Sequence, residues 1–140
     1  MRSEDYDYTI LSVDDEPDIS DLLTHILGKH YKVLSTTNAD GALEILKTHS
    51  VDIVLLDIRM PGIDGFELCK QIKSDPVLKI IPVIFVSAYH SPEDIKKGYQ
   101  LNANDFIYKP FIKEEVLAKI KVHLKYGELL KIDDISQSME

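Results

Sequence analysis

Short apolar runs alternate along this chain with stretches whose apolar residues recur at helical spacing. Residues 9–13 read as a first strand that stops at three acids, Asp14, Asp15 and Glu16. Pro17-Asp18 opens a helix, since proline at the first helical position loses no bond for want of its N–H. Ile19, Leu22, Leu23, Ile26 and Leu27 form the buried stripe of that helix, and Gly28 suits its end. A second strand is predicted over 31–35. Asn38 or Asp40 then caps a second helix with apolar positions Ala42, Leu43, Ile45 and Leu46. The unbroken run 53–56 is the pattern of a strand buried on both faces, and it ends at Asp57. Pro61, Gly62 and Gly65 mark a turn. Phe66, Cys69 and Ile72 are the inner positions of a third helix near 65–73. A fourth strand follows at 81–87, a short helix at 92–99 and a fifth strand at 106–108. The last helix runs from 114 to about 126, with Val116, Leu117, Ile120 and Leu124 inward.

Five strands alternating with five helices imply an α/β fold, a doubly wound five-stranded parallel sheet with helices on both faces. A chain of 140 residues suits one domain with a sizeable core. Residues 127–140 lose the clean stripe. Leu129, Ile132, Ile135 and Met139 keep a loose helical spacing that fits either a linker helix or a frayed tail. The net charge of −8 argues against this segment gripping nucleic acid or anionic membrane by itself. Cys69 is the only cysteine, so an intrachain disulfide is impossible and the cytoplasm is the simplest compartment. Its place on an inner helix face predicts apolar packing, with a reactive thiol as the alternative. No apolar run approaches the roughly 20 residues that span a bilayer, and the acidic start MRSEDYDY is unlike a signal peptide.

In a parallel sheet the carboxyl ends of all strands share one edge, where open α/β sheets place their ligands. The first strand brings Asp14, Asp15 and Glu16 there, the third Asp57, the fourth Ser87 and the fifth Lys109. Each alone fits a solvated loop; together they describe a shallow cleft holding acids, a hydroxyl and an amine. Close carboxylates raise one another's pKa unless a cation joins them. An oxygen-only donor set with no paired His or Cys suits Mg²⁺ rather than zinc. Formally, Mg²⁺ and Lys109 balance Asp14, Asp15 and Asp57, leaving a site able to accept an anionic phosphoryl group. Asp57 then has the makings of a nucleophile that forms an acyl phosphate.

These residues fall in motifs that resemble the receiver domain of two-component response regulators, the CheY-like superfamily. The matching stretches are VDDEPD at 13–18, LLDIRMPGIDG at 55–65, VSA at 86–88 and NDFIYKPF at 104–111. They cover roughly residues 7–126 in the family's order. The resemblance implies a flavodoxin-like sheet of order 2-1-3-4-5. It also implies that Asp57 is the phospho-acceptor, taking its phosphoryl group from a phosphohistidine of a sensor histidine kinase or phosphotransfer protein. Asp14, Asp15, Asp57 and the backbone carbonyl of Arg59 are the implied Mg²⁺ ligands, and Lys109 and Ser87 meet the phosphoryl oxygens. Ser87 and Phe106 are the implied switch pair, and Pro110 the site of a cis bond. Small Ala88 leaves access for the phosphodonor. In the family the positions of Arg59 and Tyr89 tune phosphoryl lifetime; here both side chains are expected to shield the acyl phosphate from water, the alternative being that both point to solvent.

By this resemblance the domain catalyses only its own phosphorylation and dephosphorylation. It passes the signal through the face of the fourth helix, fifth strand and fifth helix, to a partner, a homodimer or an output domain beyond residue 140. The expected division is a receiver at 7–126 and a tail or linker at 127–140. Competing readings fare worse on the residues. An aspartate-nucleophile phosphatase carries a DxD motif after its first strand, absent here. A flavodoxin's phosphate loop would be repelled by Asp14, Asp15 and Glu16. A degenerate receiver acting as a phosphorylation-independent interaction module usually lacks the acceptor or the lysine, and both are present. None of the five histidines precedes an acid, against a phosphotransfer histidine in this chain.

Overall fold

A computed structural model describes residues 8–88 and 91–138. The elements are β1 (Thr9–Val13), α1 (Pro17–Leu27), β2 (Lys32–Thr36), α2 (Ala39–Thr48) and β3 (Ile53–Asp57), then α3 (Gly65–Ser74), β4 (Val83–Ser87), α4 (Pro92–Gln100), β5 (Asp105–Tyr108) and α5 (Lys113–Ser138). All strand pairs are parallel, in the order β2-β1-β3-β4-β5.

Successive strand residues point to opposite faces, and both faces here are apolar. Leu11, Val13, Val54, Leu56, Phe85 and Phe106 belong to one layer, covered by α2 and α3 through Ala42, Leu46, Leu68, Cys69 and Ile72. Ile10, Ile53, Leu55, Ile84, Val86 and Ile107 belong to the other, covered by α1 and α5 through Leu23, Leu27, Val116, Ile120 and Leu124. Every residue of β3 and β4 is buried. Fully burying a side chain such as Leu or Phe contributes roughly 1.5–3 kcal/mol, so these two layers hold the central strands rigidly and fix where their ends emerge. Short polar caps start the helices. Asn38, rather than Asp40, caps α2 by accepting the Gly41 N–H at 2.8 Å; Asp64 caps α3 and Ser91 caps α4 in the same way.

Boundaries differ from the sequence pattern where polar contacts intervene. The Tyr31 N–H is spent on the Leu27 carbonyl at 2.9 Å, so β2 begins at Lys32 rather than 31. Strand β4 begins at Val83 rather than 81 because Leu78–Ile80 form a 3₁₀ turn closed by the Ile81 N–H on Leu78. The carbonyl of Ile81 is then taken by the Lys73 ammonium at 2.7 Å, which also reaches the Lys79 carbonyl and Asn104 Oδ1. At the C-terminus the helical reading of the residues after 126 is the one found. α5 continues to Ser138, well past the predicted end.

Candidate functional site

β1 and β3 lie side by side, so the acids that follow them meet at the carboxyl edge of the sheet. Asp14 and Asp57 are only 2% and 6% exposed, while Asp15 and Glu16 are open to solvent. One carboxylate oxygen from each of Asp14, Asp15, Glu16 and Asp57 lies within 4.8 Å of the others. The backbone shapes this cluster. The Glu16 N–H donates to Asp14 Oδ1 at 2.9 Å and the Arg59 N–H to Asp57 Oδ1 at 3.3 Å. Gly65, at the start of α3, passes so close that a Cβ there would stand 2.1 Å from the Asp57 carbonyl oxygen. Glycine is therefore required for α3 to begin against the end of β3.

Lys109 follows β5 and reaches across the edge. Its ammonium sits 3.2 Å from Asp14 Oδ2 and 3.8 Å from Glu16 Oε1, with the side chain 10% exposed. The Lys109 N–H donates to the Ser87 carbonyl at 2.9 Å, which ties the end of β4 to the lysine. Ser87 itself is buried at the end of β4. One ammonium does not offset four carboxylates. Burial pushes the Asp57 carboxyl up to about 7, with the nearby Asp14 charge adding to the rise, against the pull of Lys109 and the Arg59 N–H. The donor set is all oxygen and electron-rich, so it fits a hard divalent cation such as Mg²⁺.

Two sequence-predicted residues lie away from the cleft. The Phe106 ring is buried under Gly98 of α4, flanked by Phe85 and Tyr99 at 5.4 Å each and by Tyr108 at 6.2 Å. A Cβ on Gly98 would stand 2.6 Å from the tip of that ring. The Arg59 side chain, 66% exposed, turns to Asp94 in the first turn of α4 at 3.2 Å. Tyr89 lies outside the described residues. Cys69 packs as the apolar reading expects: it is fully buried, its sulfur 3.7 Å from the Leu101 carbonyl, and burial pushes the thiol up to about 11.

The sequence profile of the response regulator receiver domain matches residues 10–121. The chain belongs to that family. It is a receiver domain of two-component response regulators, with the CheY-like, flavodoxin-like sheet that the resemblance implied. The Bacillus subtilis transcriptional regulatory protein YvrH is 36% identical over 119 residues, covering 84% of this chain and 49% of YvrH. A probable cyclic di-GMP phosphodiesterase of Vibrio cholerae is 38% identical over 117 residues, covering 84% of this chain and 26% of that protein. The receiver thus spans about a quarter to a half of the length of these curated relatives. The crystal structure of a putative response regulator from Chloroflexus aurantiacus superimposes with a TM-score of 0.80 at 30% identity, covering 84% of this chain and 98% of that one.

In the receiver, Asp14, Asp15, Asp57 and Lys109 are drawn into one cleft, with Ser87 at the next strand end. The Lys109–Pro110 bond is cis, in line with the resemblance. Sequence reasoning missed Asp94, because an ion pair between residues 35 positions apart leaves no periodic trace. It also missed the cluster around Asp105, where Lys119 and His123 approach the carboxylate at 3.3 and 2.9 Å. The i, i+4 spacing of Lys119 and His123 on α5 was the available signal. Among the described residues no helix is long and apolar enough to cross a membrane.

Proposed function

We propose that Asp57 accepts a phosphoryl group from a phosphohistidine of a partner histidine kinase or phosphotransfer protein. The observation that carries this reading is a buried carboxyl at the end of the central strand, 4.8 Å or less from three further acids, with an ammonium beside them. An Asp57 oxygen attacks phosphorus; the O–P bond forms as the P–N bond breaks, and the imidazole leaves with the bonding electrons. Asp14, Asp15, Asp57 and the Arg59 carbonyl are the groups that would hold Mg²⁺. When bound, the cation neutralises charge building on the transferring oxygens. Lys109 turns from Asp14 to a phosphoryl oxygen, and the Ser87 hydroxyl hydrogen-bonds another. Water later attacks the acyl phosphate, so the receiver's only catalysis is its own phosphorylation and dephosphorylation.

The output of this reading is conformational. Ser87 moves toward the phosphoryl group and vacates space into which the Phe106 ring turns, changing the α4–β5–α5 face. Phosphorylation biases an equilibrium that already exists, through contacts made in only one state. That face would contact a homodimeric partner, a separate protein or an output domain. Residues 7–126 form the receiver and 127–140 lead away from it. A cytoplasmic site of action fits a kinase partner and a single buried cysteine. Arg59 and Tyr89 shield the acyl phosphate, so Arg59→Ala and Tyr89→Ala should each shorten its lifetime; unchanged lifetimes in both would refute the shielding.

The deciding experiment is intact mass after incubation with Mg²⁺ and acetyl phosphate. One added phosphoryl group, absent in Asp57→Asn and after chelation, is expected. No gain where another receiver reacts would overturn the proposal and leave a phosphorylation-independent interaction module.

A further inference from the structure

α5 carries an apolar stripe on the side away from the core. Val116, Ile120 and Leu124 face the sheet and are buried. Val122, Tyr126 and Leu129 are 63%, 50% and 58% exposed, and their i, i+4, i+7 spacing puts them on one line along the opposite side. Single exposed apolar residues are ordinary, whereas an aligned group marks a contact surface. Gly127 is the last residue of α5 described as buried, yet the helix runs on to Ser138, about 16 Å further at 1.5 Å per residue. A helical segment of that length is marginal in water without a partner.

Charge along the helix selects the partner. Lys121 and Lys125 are exposed beside the stripe and contribute +2. Residues 128–138 carry Glu128, Asp133 and Asp134 against Lys131, a net −2. A second copy laid parallel would set like charge on like. Laid antiparallel, the acidic end of each helix meets the basic middle of the other, twice over under two-fold symmetry. With the axis at Leu129, position 125 falls opposite 133 and position 126 opposite 132. We propose that the receiver self-associates through an antiparallel pairing of its α5 helices, each projecting end lying on the Val122–Tyr126–Leu129 stripe of the other copy. This contact uses neither Asp57 nor the Asp105–Lys119 side of α5, and it requires no phosphorylation.

The test is sedimentation equilibrium of the unphosphorylated 140-residue chain at submillimolar concentration. A reversible species of twice the 15.9 kDa chain mass is expected, weakening as salt rises. Leu129→Glu should raise its dissociation constant roughly tenfold or more. Lys121→Glu with Lys125→Glu should separate the copies, as should Asp133→Lys with Asp134→Lys. Mixing these two reversed chains should restore association, because each then offers the other opposite charge in both halves. All the changed positions lie away from the core, and an unaltered melting temperature would confirm that the fold is kept. A monomer at every concentration, or reversed chains that fail to pair when mixed, would overturn the proposal, and neither result bears on phosphorylation of Asp57.

Discussion

Asp57 ends β3 and Asp105 begins β5 two strands away, each with a lysine nearby, and their carboxyl groups are displaced in opposite directions. At Asp57 burial dominates, the Asp14 charge adds to it, and the nearest ammonium is already committed to Asp14 at 3.2 Å; the carboxyl rises to about 7. At Asp105 burial also pushes upward. There it is outweighed by hydrogen bonds from His123 and from the Phe106 N–H, together with the Lys119 charge and hydrogen bond, and the carboxyl falls below its ordinary range. What separates the two is the number of donors rather than the depth of burial. Asp105 is satisfied by its own fold and ties α5 to β5, with Lys119 also donating to the Phe106 carbonyl at 2.6 Å. Asp57 is left short of donors, the condition of a group whose partner comes from solution.

The contrast is broken most severely by Asp57→Asn. Raising a carboxyl from 3.8 to about 7 means that the folded chain holds a proton the unfolded chain has lost between those values, so stability falls as pH rises across that window. In metal-free buffer near pH 7.5, Asp57→Asn should therefore stabilise the receiver by roughly 2–4 kcal/mol, at about 1.4 kcal/mol per pKa unit. The gain should shrink toward pH 4, and urea denaturation at both values checks it. Mg²⁺ should stabilise the native chain more at pH 8 than at pH 6, because it competes with the proton, and should do little for Asp57→Asn. A variant no more stable than the native chain would show that the cleft solvates Asp57 as well as water does.

Asp105→Ala should act in the other sense. A lowered carboxyl contributes stability above its unfolded value of 3.8 and loses it as pH falls through the folded one. The substitution should cost about 1 kcal/mol at pH 7, with the difference fading below about pH 3.8 in the same denaturation series. The smallest effect belongs to the Arg59–Asp94 pair, in which the arginine is largely exposed. Asp94→Ala should change stability by about 0.5 kcal/mol or less. A larger loss would mean that this pair anchors the first turn of α4.

The alternation of apolar runs and helical stripes was enough to determine five strands, five helices and a doubly wound sheet. A residue's face follows from its spacing alone once both faces of a strand are apolar. The acids at 14, 15 and 57 and the lysine at 109 were legible for a related reason: each directly follows an apolar run, so its place at the strand end is written locally. Other features depended on residues far apart in the chain. Lys73 reaching the Ile81 carbonyl delayed β4, and Arg59 found Asp94 on another element. The opposite displacements of Asp57 and Asp105 were decided only by packing, since burial and the count of donors around a carboxyl are sums over neighbours that come together only when the chain is folded.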